Sequence, residues 1–172
     1  MTIVNGVDAA RFAEAPRDAG RRALNVLGMT TGLTHMEWFR RVDGSIAISE
    51  VAARPPGAQI TTLMSRAHDM DLVQAWARVM VFGEFDPPER RYAAGAAFLR
   101  GQGQGRVNAV HGWDLVQREL RELITDVKLP EQGSTASSSY EGEGFVLVRH
   151  AETSVVEQAV ARIVALMRIE LA

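Results

Sequence analysis

The sequence predicts an α+β protein: an antiparallel hairpin sheet with helices over residues 1–85, then a smaller β-rich α+β domain over residues 86–172. Three observations carry that prediction. Two short runs rich in aromatic and β-branched residues, 34–41 and 45–51, flank Asp43-Gly44, and Asp-Gly between such runs is a strong hairpin signal. Apolar residues recur at helical spacing around 10–27, 71–81 and 152–167. The texture then breaks at Phe85-Asp86-Pro87-Pro88, beyond which short strands and turns take over.

From residue 7 to 27 the apolar positions Ala10, Phe12, Ala13, Ala19, Ala23, Leu24 and Leu27 follow helical spacing, with Pro16 interrupting and Gly28 suited to a C-terminal cap. The reading is two short helices or one kinked helix. The hairpin follows, and Arg54-Pro55-Pro56-Gly57 ends its second strand, because a residue before proline is pushed out of the helical region. A helix is expected at 60–65. Another is expected at 71–81, apolar at 72, 73, 76, 79 and 80, with Asp69 or Asp71 as its cap. Strands at 92–100 and 106–110 enclose Gly101-Gln102-Gly103-Gln104-Gly105, which reads as a hairpin turn, since no helix N-terminus follows to make it a phosphate loop. The remainder reads as a helix at 114–123, an extended run at 124–129, a polar loop at 131–139, a strand at 144–149, a helix at 152–167 and a last strand at 168–171.

Composition bounds the function. With 47% hydrophobic and 23% charged residues and a formal charge of -2, the chain is ordinary for a soluble globular protein and shows no electrostatic signature of nucleic-acid or membrane-surface binding. At 172 residues a folded chain hides roughly 70% of its unfolded surface, so no metal or disulfide is needed to hold it together. Cysteine is absent, which removes disulfides, cysteine zinc sites, iron–sulfur clusters and thiol nucleophiles. Neither a long apolar run nor a signal peptide is present, so the expected address is cytoplasmic. The basic residues are arginines except for Lys128.

If Asp43 and Gly44 are the two central residues of the turn, Val42 faces Ser45, Arg40 faces Ala47, Phe39 faces Ile48, and Glu37 faces Glu50. Both carboxylates then stand on one face with Cβ atoms ~4.5–5.5 Å apart. A three-residue turn would give Glu37 a different partner. Opposed like charges are tolerable if one is protonated, if an arginine bridges them, or if a divalent cation sits between them. The competing reading is two solvent-exposed glutamates on an open sheet face. Arg54 shifts the balance: four residues after Glu50, at a point where Pro55 fixes the chain direction, it is placed to neutralise the acids or to fork onto a phosphate. An acid pair beside an arginine suits a magnesium–phosphate ligand.

Other features have plainer readings. Tyr140-Glu141-Gly142-Glu143-Gly144 reads as an acidic turn, and His111 and His150 end strands without a second ligand at metal-binding spacing. Trp38, Trp76 and Trp113 read as packing residues. Ser137–Ser139 lack the glycine frame of a nucleophile elbow.

The run Gly32-Leu33-Thr34-His35-Met36-Glu37-Trp38-Phe39, the turn Asp43-Gly44, and Glu50-Val51-Ala52-Ala53-Arg54-Pro55-Pro56-Gly57 resemble the last catalytic hairpin of the ATP-grasp ligases. In that family the pattern reads H-x-E, strand, D-G, strand, then E-x-N-x-R-x-G-G. Residues 90 onward resemble, less specifically, the small C-terminal β-rich domain of the carboxylase-like branch. The resemblance implies the C-terminal part of an ATP-grasp fold. It implies Glu37 and Glu50 as magnesium ligands, Arg54 as the catalytic contact to the transferred phosphate or acyl phosphate, and His35 beside the nucleotide phosphates. Two positions depart from the pattern: Ala52 stands where the family has asparagine, and Pro56 where many members have glycine.

The implied activity is ATP-dependent joining of a small-molecule carboxylate to an amine, with ATP and Mg2+ used by the parent enzyme. The family's adenine pocket, phosphate-gripping lysines and glycine-rich flap precede the segment resembled here. The expectation is therefore a C-terminal fragment, inactive alone, whose partners are the missing N-terminal ATP-grasp portion and a second copy, with no nucleic-acid or membrane partner. The alternative is a non-catalytic assembly module.

Overall fold

The computed structural model describes residues 2–5 and 14–172. In chain order they form β1 (Thr2–Asn5), α1 (Glu14–Val26), β2 (His35–Arg40), β3 (Ile46–Ala52), α2 (Ile60–His68), α3 (Leu72–Phe82), β4 (Ala93–Leu99), β5 (Val107–His111), α4 (Trp113–Leu120), a 3-10 turn at Arg121–Leu123, β6 (Ile124–Lys128), β7 (Gly144–His150), α5 (Thr153–Leu166) and β8 (Arg168–Leu171). They group into two compact units. One comprises residues 2–5, 58–69 and 89–172, the other residues 14–57 and 70–88.

The first unit is built on β4, Ala-Ala-Gly-Ala-Ala-Phe-Leu, which lies between β1 and β7 in an antiparallel sheet of order β1-β4-β7-β6. Successive strand residues face opposite sides. Accordingly Ala93, Ala97 and Leu99 join Val146 and Val148 of β7 against Val156, Ala159, Val160 and Ile163 of α5. On the other face Ala94, Ala96 and Leu147 pack with Leu63 and Ala67 of α2. Alanine on both faces lets each helix layer approach the sheet closely, and the spacing 156, 159, 160, 163 is the buried stripe of an amphipathic helix. Leu147 is fully buried, a position where truncation to alanine typically costs ~2–5 kcal/mol. Beside the sheet, Arg66 of α2 forks onto Asp126 of β6 at 2.8 and 2.6 Å, which holds the Asp126 carboxyl below its ordinary range.

The Gly101–Gly105 segment is not a hairpin turn. Both edges of β4 are taken, by β1 and β7, so the chain crosses to a separate two-stranded sheet in which β5 pairs with β8. A side chain at Gly101 would come within 2.6 Å of Leu171 Cγ, so the crossing runs hard against that last strand. Strand β1, which the sequence does not announce, fills the edge that the expected β4–β5 hairpin would have used.

In the second unit α1 runs without a break from Glu14 to Val26, through Pro16. Pro16 is its third residue, where the backbone has no intrahelical acceptor to lose, so it neither kinks nor breaks the helix. The positions Ala10, Phe12 and Ala13 assigned to this helix from the sequence lie outside the described residues. Asp71 caps α3 by accepting the Gln74 N–H at 2.9 Å, and Gly83, at φ 70°, closes it. Its apolar side meets Gly32, Leu33 and Phe85 around a small cavity of about 60 Å³ that Trp76 lines. Among the described residues of this unit only Ala19 and Leu72 are buried hydrophobics, whereas Val26, Leu27, Phe39, Val42, Val73, Met80, Val81, Phe82 and Phe85 are exposed. Among the described residues no helix is long and apolar enough to cross a membrane.

Candidate functional site

The hairpin turn has three residues rather than two. Arg41 donates to the Ser45 carbonyl at 2.8 Å, the Gly44 N–H returns to Arg41, and Gly44 sits at φ 82°, the left-handed position that such a turn requires of its third residue. Asp43 Oδ1 accepts the Ser45 N–H at 2.9 Å, and hydrogen bonding from the Ser45 side chain, together with that N–H, holds the Asp43 carboxyl below its ordinary value. The longer turn offsets the first pairs by one residue: Arg40 faces Ile46, Phe39 faces Ala47 and Trp38 faces Ile48. A bulge then inserts Ser49 into β3, and beyond it Glu37 faces Glu50, Met36 faces Val51 and His35 faces Ala52. The expected pairings of Arg40 and Phe39 are thus corrected, and the opposition of Glu37 and Glu50 arises from the turn and the bulge together.

The two side chains are 57% and 50% exposed. That exposure decides how costly the pair is. Two unit charges ~5 Å apart in water repel by about 0.8 kcal/mol, a cost that a hairpin carries readily. Each acid also has a basic neighbour. Arg54 Nη2 lies 4.0 Å from Glu50 Oε1 while its Nη1 donates to the Pro55 carbonyl at 3.1 Å, and His35 Nε2 lies 3.8 Å from Glu37 Oε1. His35 Nδ1 is buried and has no hydrogen-bond partner among the described residues.

Among the described residues no three or more histidines, cysteines or acids converge on a point that would hold a metal. Magnesium commonly takes one or two carboxylates and completes its shell with phosphate oxygens and water. Two opposed, solvent-facing carboxylates therefore fit a magnesium ion that arrives with phosphate, and do not form a closed protein cage. The neighbouring arginine, with its planar fork of donors, fits the anionic part of the same ligand.

The remaining polar candidates lie in the first unit and have structural partners. Glu143 is 9% exposed and accepts the N–H groups of Gly101 and Ser137 at 2.9 and 2.8 Å. His111 meets Glu170 at 3.2 Å, and His150 Nδ1 accepts the Glu152 N–H at 3.1 Å. Lys128 lines an open polar cavity of about 310 Å³ with Glu131, Thr135 and Ser137. One residue escaped the sequence reading. Gln59, directly before α2, holds φ 58° and binds Glu141, and nothing in its local sequence signals either property.

No family model and no curated protein matches this sequence. Solved structures do. The chain superposes with a TM-score of 0.80 and 18% identity on L-amino acid ligase from Bacillus licheniformis, covering 99% of this chain and 44% of that one. Phosphoribosylglycinamide synthetase from Anaerococcus prevotii matches with a TM-score of 0.75 and 13% identity over 99% of this chain and 45% of its own. The biotin carboxylase domain of a single-chain bacterial carboxylase matches at 0.60 and 16% over 98% and 41%. The class is thereby defined: the chain has the fold of part of an ATP-grasp ligase. It spans somewhat under half the length of each of these solved chains.

Proposed function

We propose that this chain is the C-terminal part of an ATP-dependent, magnesium-requiring ligase that joins a small-molecule carboxylate to an amine or related nucleophile. Support comes from the ATP-grasp fold, and the observation that carries the reading is the opposed Glu37–Glu50 pair with Arg54 at 4.0 Å from Glu50. In this reading residues 1–85 end the catalytic domain and residues 86–172 form its small companion, with α2 of the first segment packed on the sheet that the second largely builds.

The roles follow from the side chains. Glu37 and Glu50 would hold magnesium, which supplies positive charge against the phosphate oxygens. Arg54 would fork onto the phosphoryl group, holding it in line and offsetting its charge as the carboxylate oxygen bonds to the γ-phosphorus and ADP departs. The amine then attacks the acyl carbon and inorganic phosphate leaves. Pro55 and Pro56 hold Arg54 in place by fixing their own φ angles, which lowers the entropic cost of aiming it. His35, with Nδ1 buried and Nε2 toward Glu37, orients that carboxylate beside the phosphates. The parent enzyme is assigned to the cytoplasm.

The isolated chain is expected to be inactive, because the adenine pocket and phosphate-gripping lysines belong to the missing N-terminal portion. Isothermal titration of the 172-residue chain with magnesium-ATP tests this. No micromolar binding is expected, and micromolar binding would overturn the fragment reading. A second reading, a non-catalytic assembly module, is favoured by one observation: nine large apolar side chains are exposed in the second unit. Turnover by the parent ligase that vanishes with Glu50→Gln separates the two, since a pure assembly role would leave it unchanged.

A further inference from the structure

Within the second unit, α1 buries a face of small residues. Pro16, Ala19 and Gly20, at spacing i, i+3, i+4, are buried, whereas Arg17, Asp18, Arg21 and Arg22 around them are exposed. Gly20 stands at the middle of the helix, and glycine is, after proline, the residue that a helix interior tolerates least. A glycine kept there has a packing reason. Here the reason lies on the hairpin: a Cβ at Gly20 would come within 3.3 Å of Met36 Sδ and 3.5 Å of Met36 Cε. Met36 therefore seats its thioether on the bare backbone of α1.

Met36 directly precedes Glu37, and it pairs with Val51, which directly follows Glu50. Strand side chains alternate, so Met36 and Val51 face one side of the hairpin and Glu37 and Glu50 the other. Burial agrees with that division: Met36 and Val51 are half-buried, both glutamates are exposed, and α1 packs against β3. A two-stranded sheet is marginal without such backing. Here the need is greater, because the bulge interrupts the ladder between Glu37 and Trp38 and cannot hold the glutamates level from that side. On the other side the next rung is Met36–Val51, and the notch at Gly20 lets α1 bear on it.

We infer that Gly20 and Met36 are positioning residues for the Glu37–Glu50 pair: the thioether seated on Gly20 fixes the rung next to the two carboxylates and so holds them opposite each other. The inference rests on the metal role proposed above for Glu37 and Glu50.

Nuclear magnetic resonance on the full chain tests it with two readouts. The first needs no ligand and is the cross-strand nuclear Overhauser contact between Glu37 and Glu50. It should weaken in Gly20→Leu, because leucine is a good helix former that keeps α1 but displaces Met36. Combining Gly20→Leu with Met36→Ala exchanges bulk between strand and helix, and the contact should return. The second readout uses Mn2+ as a paramagnetic substitute for magnesium. It should broaden the Glu37 and Glu50 amide signals together and be displaced by Mg2+. Its half-saturation should rise about tenfold in Gly20→Leu, the usual cost of disturbing what stands behind a metal ligand, and recover in the exchanged variant.

An unchanged Glu37–Glu50 contact in a folded Gly20→Leu chain overturns the inference, and so does an exchanged variant that folds without regaining it. If Gly20→Leu does not fold, Met36 decides. Met36→Ala should then weaken the contact and raise the Mn2+ half-saturation while Met36→Leu keeps both native, and native behaviour of both variants overturns the inference. If the contact responds as expected but Mn2+ never broadens Glu37 or Glu50 in the wild-type chain, the seating role stands and the metal role of the pair falls.

Discussion

Glu37 stands directly across the hairpin from Glu50, and Ser49, bulged out of β3, is what brings them level after the three-residue turn. The opposition is thus a property of two irregularities acting together. It follows that inserting one alanine between Ser49 and Glu50 should move Glu37 off Glu50 and carry Glu50 toward the other face, opposite Met36, because strand side chains alternate. The altered chain should keep its melting temperature within a few degrees, since the bulge lies on an exposed two-stranded sheet. In the assembled ligase, turnover should fall at least a hundredfold. Near-native turnover would show that the pairing is not used.

Removing one charge of the pair should be neutral or slightly favourable for the free chain. The exposed acids repel weakly, and Glu50→Gln relieves that repulsion while giving up a loose 4.0 Å contact with Arg54. Thermal unfolding should change by less than about 0.5 kcal/mol. Activity in the assembled ligase should fall by two orders of magnitude or more, as expected for losing a group that acts on transition-state charge. A strongly destabilised Glu50→Gln chain would instead mark Glu50 as structural.

Arg54→Lys should retain charge and lose the fork. Because an ammonium cannot present two parallel donors to a phosphoryl group, kcat is expected to drop about a hundredfold with a smaller change in KM for ATP. Equal activity of the two side chains would mean that Arg54 acts only as a point charge.

The Arg66–Asp126 pair predicts an acid limb of stability. Hydrogen bonding from Arg66 lowers the folded pKa of Asp126 below its ordinary 3.8, so the contribution is present in full above about pH 4 and is lost as the pH falls through the lower folded value. Asp126→Asn should remove that dependence and cost about 1 kcal/mol at neutral pH. Denaturant unfolding of both proteins between pH 2 and 7 measures it, and parallel profiles would reject the assignment.

The exposed apolar surface of the second unit should drive self-association of the isolated chain. Light scattering should report a dimer or larger species at high concentration, and Met80→Glu with Phe82→Glu, both exposed, should shift it toward monomer. A monomer throughout would count against any partner at this face.

The sequence by itself determined the element types and most of their bounds, because those depend on local signals: Asp-Gly for the turn, Asp71 as a cap, the spacing 156, 159, 160, 163 on α5 and the alternation that makes the hairpin. It also singled out Glu37, Glu50, His35 and Arg54 as a set, since all four lie within one hairpin and its exit loop. What only the tertiary structure decided is which elements pair. Strand β4 has alanine at four of its seven positions, so its own residues express little preference between the nearby β5 and the distant β1 and β7; burial of both its faces under α2 and α5 made that choice. The same holds for Ser49 and Gln59. A bulge and a left-handed glutamine are unfavourable locally and are set by partners across the hairpin or 82 residues away, so no window of sequence around them carries the signal.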